Sequence, residues 1–547
     1  MIRALRNRYP LVEMLARARA EFDVEFVAAT VLAGLGNALV LALVNAAAVD
    51  ASSRYLALFV LVVAMFLLMQ FYVMTRSATE VERTLDRIRT DISDHLARAK
   101  LEALERVGRA EIFDCVSRET TIISQAAATI TLALQSALMI LFSAVYLERL
   151  SLTAFVLTIV LSYTGIRVYL LKREESTRLL EQATDIQNEF FECLTHLIDG
   201  FKEARLHAAR GRELLVRLRR ISSDLTTVRV ASERSFAAQN AYAQVAFYLM
   251  IGGVVFLLPS ISPTFPAVVT QATATMLFII APLSSLVGSI PVFARANVAA
   301  TNVLDLERVL ARAETHETIV TSETPAVAAP LELRHIAFAY EPRGDERPFA
   351  IGPISLRIEP GTVAFFVGGN GSGKSTLLKV LTGLYAPRSG TMFIGGTPFA
   401  PETAQWYRSH FTAVFSDYHL FDRLYGMGDI DPARVTAALE RLQLQEKVGF
   451  EGGRFSTLEL SSGQRKRLAL AVAILEDRPF LVFDEWAAEQ DPTFREIFYR
   501  EILPWLRAEG RTVIAATHDA QYFDAADQIV RFDMGVIIGS DGTAPGR

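Results

Sequence analysis

The sequence predicts an α-helical membrane domain with six spans, fused to a following α/β domain that is built around a P-loop. Three observations predict this fold class. The first part of the chain holds six apolar stretches, each near the roughly 20 residues that a spanning helix needs. After residue 329 the composition changes to that of a soluble α/β domain. In this second part, a short apolar strand, a glycine-rich loop and a helix follow one another.

The composition supports two domains, because 547 residues are too many for one. We expect a membrane domain at 1–314, a linker at 315–329 and the α/β domain at 330–547. Hydrophobic residues make up 51% of the chain and the mean hydropathy is +0.28, which is high for a soluble protein. The formal net charge of -5 argues against a general nucleic-acid-binding protein.

The expected spans alternate between very short and long connections. The two long connections, at about 75–120 and 172–240, are rich in arginine, whereas the short ones offer only Arg54 and Arg149. The positive-inside rule therefore places both long loops and both termini in the cytoplasm. Residues 1–23 alternate arginine with apolar residues, which indicates an amphipathic helix on the inner membrane face or a frayed terminus. The predicted spans are 26–48, 55–74, 121–145, 152–171, 241–258 and 264–290.

Polar residues within the predicted spans have two interpretations. A polar side chain facing lipid is costly, so these residues should face the helix bundle or a wet cavity. The alternative is hydrogen bonding between helices, which is common in membrane domains. The sequence leaves both open for Asn37, Asn45, Gln135, Gln244 and Gln271.

The glycine-rich loop has the pattern G-x-x-x-x-G-K-[ST], between an apolar strand at 363–367 and a helix that begins near Leu377. Glycines let backbone N–H groups surround phosphate oxygens, and the positive end of the helix points at the same phosphates. The pattern predicts that Lys374 binds the β- and γ-phosphates of a nucleotide and that Ser375 binds Mg²⁺. The predicted phosphate-binding residues are Gly368, Gly369, Asn370, Gly371, Ser372, Gly373, Lys374, Ser375 and Thr376.

Two further motifs complete the expected nucleotide site. An apolar strand at 480–483 runs into Asp484, which would hold Mg²⁺, and Glu485, which would orient or deprotonate the attacking water. A second helix start, at Ser461–Gln464, could place a hydroxyl and backbone N–H groups on a phosphate. Tyr340 ends a strand upstream of the loop and could stack on adenine, or could be a strand-end tyrosine.

The order of these motifs resembles that of the ATP-binding-cassette (ABC) ATPases. The motifs are the glycine-rich loop (Walker A), Leu460–Gln464, Asp484-Glu485 and Thr517-His518-Asp519. Six spans fused ahead of such a cassette are similar to an exporter-type half-transporter, and the resemblance covers essentially the whole chain. It implies a homodimer with two ATP molecules between the cassettes.

The resemblance also implies roles for single residues. Each ATP would meet Lys374 of one subunit and the signature residues of the other. The signature residues are Ser461, Ser462, Gly463 and Gln464. Tyr340 would stack on adenine, Asp491 would belong to the D-loop that lines the ATP, and His518 would be the catalytic histidine at the γ-phosphate. The region around 200–210 looks like the coupling helix that docks on a cassette.

A narrower resemblance concerns the stretches Ala413–Asp422 and Asp484–Pro492. Together with the glycine-rich loop they look like the branch that exports cyclic peptides and peptide siderophores, including the pyoverdine-precursor, syringomycin and lasso-peptide microcin exporters. Two positions depart from the general family pattern: Ser462 replaces a glycine, and Ser416 replaces the Q-loop glutamine. For Mg²⁺ coordination we expect Ser416 to act through a bridging water, with Asp417 or a backbone shift as alternatives.

The resemblance predicts an ATP hydrolase coupled to transmembrane transport in the bacterial inner membrane, in contact with membrane lipid. The expected cargo is a modified or cyclic peptide or a peptide siderophore, and no nucleic-acid partner is expected. An importer or lipid flippase on the same fold is the alternative within transport. A membrane-anchored regulatory ATPase without cargo is the alternative from another class.

Overall fold

The structure is a computed structural model of the chain, and it describes residues 10–17, 24–49, 53–261, 266–314, 329–341, 348–428 and 430–542. Backbone contacts divide the chain into two compact units. The first unit comprises residues 1–92 and 112–306, and the second comprises 93–111 and 307–547. The expected linker lies, apart from residue 329, outside the described residues.

The first unit is helical. Its longest helices combine an apolar part with a polar extension, so that each is far longer than a membrane is thick. The helices of the membrane part and of its loops are α1 (Pro10–Arg17), α2 (Val24–Val49), α3 (Ser53–Arg98), α4 (Leu101–Val107), α5 (Arg109–Asp114), α6 (Thr120–Leu150), α7 (Leu152–Asp199), α8 (Phe201–Leu206), α9 (Ala208–Gly252), α10 (Leu258–Ile261) and α11 (Pro266–Arg312).

Among the described residues, five helical segments are long and apolar enough to cross a membrane: Val24–Ala47, Ser53–Arg98, Arg109–Leu150, Ala208–Ser260 and Val268–Arg312. The remaining predicted stretch corresponds to a shorter apolar segment, Leu152–Gly165, at the start of α7. Short π-helical turns at Cys115–Glu119 and Gly253–Leu257 interrupt two of the segments. Within the predicted N-terminal amphipathic helix, only Pro10–Arg17 is described, and it is helical with Leu11 and Met14 buried.

The second unit contains a six-stranded sheet in the order β12-β11-β3-β10-β9-β6 and a four-stranded antiparallel sheet in the order β2-β1-β4-β5. In the larger sheet the strands from β11 to β6 are parallel and β12 is an antiparallel edge strand. The strands are β1 (Leu331–Ala339), β2 (Ala350–Ile358), β3 (Val363–Gly368), β4 (Ser389–Ile394), β5 (Thr397–Pro398), β6 (Phe411–Val414), β7 (Phe450–Glu451), β8 (Arg454–Phe455), β9 (Phe480–Asp484), β10 (Thr512–Ala516), β11 (Gln528–Asp533) and β12 (Val536–Gly542).

Helices pack against one face of the larger sheet, and a helix together with the four-stranded sheet packs against the other. Burial on both faces explains why the central strands read as continuous apolar runs. All five residues of β9 and all five of β10 are buried. The helices of this unit are α12 (Lys374–Leu381), α13 (Ala404–Arg408), α14 (Pro432–Arg441), α15 (Ser462–Leu475), α16 (Pro492–Ile497) and α17 (Leu503–Ala508). Because β3, β10 and β9 are parallel neighbours, the segments that follow them meet at one edge of the sheet.

The segment 93–111 belongs to the second unit, although three of the long apolar helical segments and the shorter one follow it in the chain. Leu101 packs against the core that contains Phe338 and Tyr385. The carboxylate of Glu105, in α4, accepts a hydrogen bond from the Tyr385 hydroxyl and pairs with Lys379 at 2.9 Å. This short helix is therefore a structural part of the α/β unit.

Candidate functional site

The glycine-rich loop connects β3 to α12, as its sequence predicts. Gly371 and Gly373 have φ values of 75° and 101°, in the left-handed region that favours glycine. A Cβ atom at Gly373 would lie 2.8 Å from the Ile351 side chain, so a larger residue would also collide. The loop thus forms a cradle whose shape depends on the absence of side chains.

Lys374 and Ser372 of this loop have buried polar side chains. The Lys374 ammonium donates to the carbonyls of Gly368 at 2.9 Å and Gly369 at 3.0 Å, and burial lowers the pKa of Lys374, opposed by Glu485 and Asp484. The Ser372 side chain is buried, and its Oγ atom has no hydrogen-bond partner among the described residues. An unpaired buried hydroxyl in a phosphate-binding pattern is what a phosphate oxygen would satisfy.

The predicted metal ligands lie together. Asp484 is only 2% exposed, and its carboxylate accepts hydrogen bonds from Ser375 Oγ at 2.9 Å and from Ser416 Oγ at 3.3 Å. Burial raises the pKa of Asp484 and the neighbouring Glu485 raises it further, while both serine hydrogen bonds oppose these effects. Ser416 is therefore close enough to share a metal ion with Asp484, either directly or through water.

Glu485 and His518 are also neighbours, with 3.0 Å between Glu485 Oε1 and His518 Nε2. Glu485 has φ of 50° and ψ of 38°, a left-handed conformation that costs a non-glycine residue about 1–3 kcal/mol. Two backbone contacts hold it there: its N–H donates to the Ala516 carbonyl at 3.1 Å, and its carbonyl accepts from Lys466 Nζ at 3.1 Å. The bend turns the Glu485 side chain from the buried strand toward His518, which follows the neighbouring strand β10.

Tyr340 follows β1 and is held beside the glycine-rich loop. Its hydroxyl lies 3.1 Å from Thr376 Oγ1, and its ring packs edge-on against Phe338 and Tyr385, with centroids 5.2 and 5.8 Å away. The ring therefore lies beside Thr376, the last residue of the phosphate-binding pattern.

The signature residues Ser461–Gln464 form the N-terminus of α15. Ser461 Oγ accepts from the Gln464 N–H at 3.3 Å, and Gln464 Oε1 accepts from the Ser461 N–H at 3.1 Å, which is a capping box. The Gly463 carbonyl accepts from Gln490 at 3.1 Å, and Ser462 is exposed. In the part of the chain that the structure describes, no hydrogen bond joins these four residues to the glycine-rich loop.

Asp491 lies beside the signature residues. Its carboxylate caps α16 by accepting from the Phe494 N–H at 3.0 Å, and it also pairs with Arg467. The Phe494 hydrogen bond is the main reason that the pKa of Asp491 is lowered, with Arg467 contributing. Of the predicted site residues, the structure therefore brings together one group around Asp484 and a second group around Ser461 and Asp491.

Sequence reasoning missed Lys466 and the Glu105–Tyr385 contact. Lys466 is 3% exposed, holds the Glu485 carbonyl and pairs with Glu489 at 3.1 Å. A lysine between two arginines reads as a solvated face, and its only sequence signal is its place on the inner side of α15. Glu105 contacts residues 274 and 280 positions away, and no local pattern indicates such pairs.

The residues around the loop fit ATP with Mg²⁺. The glycine cradle and the unpaired Ser372 hydroxyl suit phosphate oxygens. Ser375, Asp484 and Ser416 supply hard oxygen donors, and Mg²⁺ is usually held by one or two carboxylates plus substrate phosphates. The described residues contain no cluster of three or more histidine, cysteine, aspartate or glutamate side chains that could hold a metal.

Comparisons with known proteins agree with this geometry. The family model described as ABC transporter matches residues 351–488. ATP-binding protein SyrD of Pseudomonas syringae pv. syringae is 34% identical over 477 residues, which are 83% of this chain and 82% of that protein. Macrolide export ATP-binding/permease protein MacB of Escherichia coli (strain K12) is 34% identical over 220 residues, which are 38% of this chain and 34% of MacB.

The fold has a counterpart among solved structures. A bacterial Atm1-family ABC exporter with ATP bound aligns with a TM-score of 0.75 over 96% of both chains, at 19% identity. This likeness confirms the predicted fold class, a helical membrane domain fused to an α/β P-loop ATPase domain. The match to SyrD over most of both proteins adds the family. The chain is therefore a member of the ABC transporter family, an exporter-type half-transporter that couples ATP hydrolysis to transport.

Proposed function

We propose that this protein is a homodimeric exporter of a modified or cyclic peptide, or of a peptide siderophore, in the bacterial inner membrane. The single observation that carries the homodimer is the separation of the site into two groups. Asp484 bonds to Ser375 of the glycine-rich loop and Glu485 interacts electrostatically with Lys374, while Ser461 and Asp491 bond to their own neighbours. A complete ATP site then needs the signature residues of a second copy.

In each site the chain's residues act on ATP as follows. The cradle and Lys374 bind the phosphates, and Tyr340 packs on the adenine. Ser375, Asp484 and Ser416 would hold Mg²⁺, which would supply the positive charge that phosphoryl transfer needs at the γ-phosphate. Glu485 orients and deprotonates the attacking water, and His518 keeps the Glu485 carboxylate aimed at it across their 3.0 Å contact.

A surface of the first unit supports docking on a partner. The short helix α8 lies between two helices of 48 and 45 residues, within the predicted coupling region. Ile198, Phe201 and Leu206 are 64%, 60% and 80% exposed in this region. Three large exposed apolar side chains close together, at the turn between α7 and α9, are unusual on a solvated surface. A partner cassette would cover them.

The cargo class is supported by sequence similarity alone. The stretches Ala413–Asp422 and Asp484–Pro492 resemble the peptide-exporting branch. The name of ATP-binding protein SyrD, which matches 83% of this chain, does not state a cargo. The experiment is to measure the ATPase rate of the reconstituted protein with cyclic peptides, linear peptides and phospholipids. Stimulation by a cyclic peptide supports the proposal, and stimulation by a phospholipid alone favours a flippase. An ATPase that no compound stimulates favours the regulatory alternative.

Orientation is tested separately. Ser151 connects α6 to α7 in one of the short loops, and Ser93 lies in a long one. A cysteine at Ser151 should react with an impermeant thiol reagent from the periplasm, and one at Ser93 should not. The reverse pattern would place the cassette outside and contradict the inner-membrane assignment.

The direction of transport is tested by deletion of the gene. Deletion should trap the peptide product inside the cell, and uptake lost on deletion would favour an importer.

A further inference from the structure

Two polar residues of the predicted spans, Asn45 and Gln135, are buried in different surroundings, whereas Gln244 is exposed. Asn45 is buried, and its Nδ2 atom lies 3.4 Å from Tyr146 Oη, 3.3 Å from the Gln271 carbonyl and 3.4 Å from Thr275 Oγ1. This is hydrogen bonding between helices. Gln135 is equally buried, at 8% exposed, but its Nε2 atom has no hydrogen-bond partner among the described residues.

Gln135 lines a partly open cavity of about 300 Å³ within the first unit. Helices α2, α3, α6 and α11 each contribute lining residues. At Gly34 an added Cβ would lie 2.8 Å from Leu138 Cβ, so α2 and α6 are in close contact beside the cavity. The polar side chains in its lining are Asn37, Gln70, Gln135, Ser136 and Ser285.

The chemistry of this lining is specific. Three of the five polar side chains are primary amides, and each amide offers both a donor and an acceptor. The Asn37 amide donates to a weak acceptor, the Met139 sulfur, at 3.0 Å. None of the described lining residues carries a formal charge. An ionised ligand group would therefore lose its hydration without gaining a counter-ion, whereas a neutral amide would find both partners.

We infer that this cavity binds an uncharged, amide-bearing part of the cargo, and that Gln135 is the residue that recognises it. The inference rests on the proposed export of a peptide. A volume of about 300 Å³ is at the lower end of ligand pockets, so the cavity takes one or two residues of a peptide and leaves the rest outside. A cyclic or end-capped peptide meets the requirement for neutrality, and a short zwitterionic peptide does not.

The test uses the full-length chain in lipid vesicles, with Cys115 and Cys193 replaced by alanine and Ser136→Cys as a reporter in the cavity. The probes are the cyclic dipeptide of glycine and leucine and the linear zwitterionic Gly-Leu. The cyclic dipeptide should slow labelling of the reporter by N-ethylmaleimide at least threefold, and the linear dipeptide should not. In the Gln135→Leu variant the half-protecting concentration should rise tenfold or more.

Thermal stability supplies the readout that separates ligand binding from a structural role. Gln135→Leu removes an unpaired buried amide, so its unfolding temperature should equal or exceed that of the parent. The matched control Asn45→Leu breaks a paired amide, so it should unfold at a lower temperature and keep the protection by the cyclic dipeptide. Methionine is unbranched and about as long as glutamine, so Gln135→Met is used instead if the branched leucine side chain prevents folding.

Each outcome decides a different point. If both Gln135 variants unfold earlier and the cyclic dipeptide still protects, Gln135 is a structural or water-holding residue and the inference is wrong. If no dipeptide protects the reporter while cyclic peptides stimulate the ATPase, the cavity assignment is wrong and the proposed export stands. If the cyclic dipeptide protects through Gln135 but no peptide stimulates the ATPase, the cavity assignment stands and the proposed peptide cargo is wrong.

Discussion

Four buried polar atoms have no hydrogen-bond partner among the described residues, and two of them, Ser372 Oγ and Gln135 Nε2, lie in different units of this molecule. Each costs about 1–3 kcal/mol while it stays unpaired. Around Ser372 the sequence names the ligand, because nine consecutive residues form a phosphate-binding pattern. Around Gln135 no pattern exists, and the ligand class follows from the cavity. The comparison teaches that a buried polar atom without a partner occurs at both sites, and that a sequence motif accompanies it only at Ser372.

The largest expected effect concerns the site around Ser372. If this site binds ATP for hydrolysis, a residue beside it must activate the attacking water. Glu485→Gln should retain ATP binding and lower the ATP turnover by roughly 10²- to 10⁴-fold, because it removes the general base beside Asp484. The measurement is phosphate release from the reconstituted protein. Glu496→Gln, an exposed carboxylate on α16, is the matched control and should leave turnover within about twofold of the parent. A Glu485→Gln variant with parental turnover would assign the base elsewhere.

A second prediction concerns the effect on stability of a buried charge, that of the Asp484 carboxylate, in place of a buried uncharged polar group. Burial raises the pKa of Asp484, so the folded state binds its proton more tightly than the unfolded state does. The resulting stabilisation of the folded state is fully present below the pKa of Asp484 in the unfolded chain. It is lost as the pH rises through the pKa of Asp484 in the folded protein. At pH 7.5 without Mg²⁺, Asp484→Asn should therefore be more stable than the parent, by roughly 1–3 kcal/mol.

The difference should shrink toward acid pH, and thermal unfolding at several pH values measures it. Added Mg²⁺ and ATP should raise the unfolding temperature of the parent and have little effect on Asp484→Asn. A variant that is less stable than the parent at pH 7.5 would mean that the hydrogen bonds from Ser375 and Ser416 outweigh burial.

A third prediction concerns Ser416, which lies 3.3 Å from the carboxylate of Asp484. Ser416→Ala should raise the Mg²⁺ concentration needed for half-maximal ATPase activity by about tenfold, and should reduce cargo stimulation more than ATP binding. Asp417 is exposed and its carboxylate lies near Lys379, so Asp417→Ala should change little. If instead Asp417→Ala abolishes cargo stimulation and Ser416→Ala leaves it intact, Asp417 serves in place of the Q-loop glutamine.

The smallest expected effect sharpens the comparison itself. Ser372→Ala removes the unpaired hydroxyl, so it should leave the stability without nucleotide unchanged or slightly higher and weaken ATP binding by about fivefold. Titration calorimetry and thermal unfolding measure the two quantities. A loss of stability without nucleotide would show that Ser372 Oγ has a partner in solution, and the parallel with Gln135 would then fail.

The sequence predicted those features that depend on neighbouring residues. The glycine-rich loop, the strand that runs into Asp484 and the helix cap at Ser461 are local patterns with one structural solution. The polar residues of the spans have two interpretations at the level of sequence, and only packing separates Asn45 from Gln135. The role of Lys466 depends on the bend at Glu485, which tertiary structure imposes. Contacts between distant segments leave no local signal in a single sequence.

The contact between Glu105 and Lys379 has a consequence for how the protein is made. The two residues are 274 positions apart, so at about 5–20 residues per second the ribosome adds Lys379 roughly 14 to 55 s after Glu105. During that interval α4 and its apolar Leu101 have no α/β core to join, while four further apolar helical segments enter the membrane. The second unit can close only when nearly the whole chain has been synthesised. Slow or interrupted translation should therefore expose this segment to cytoplasmic proteases before any other defect arises.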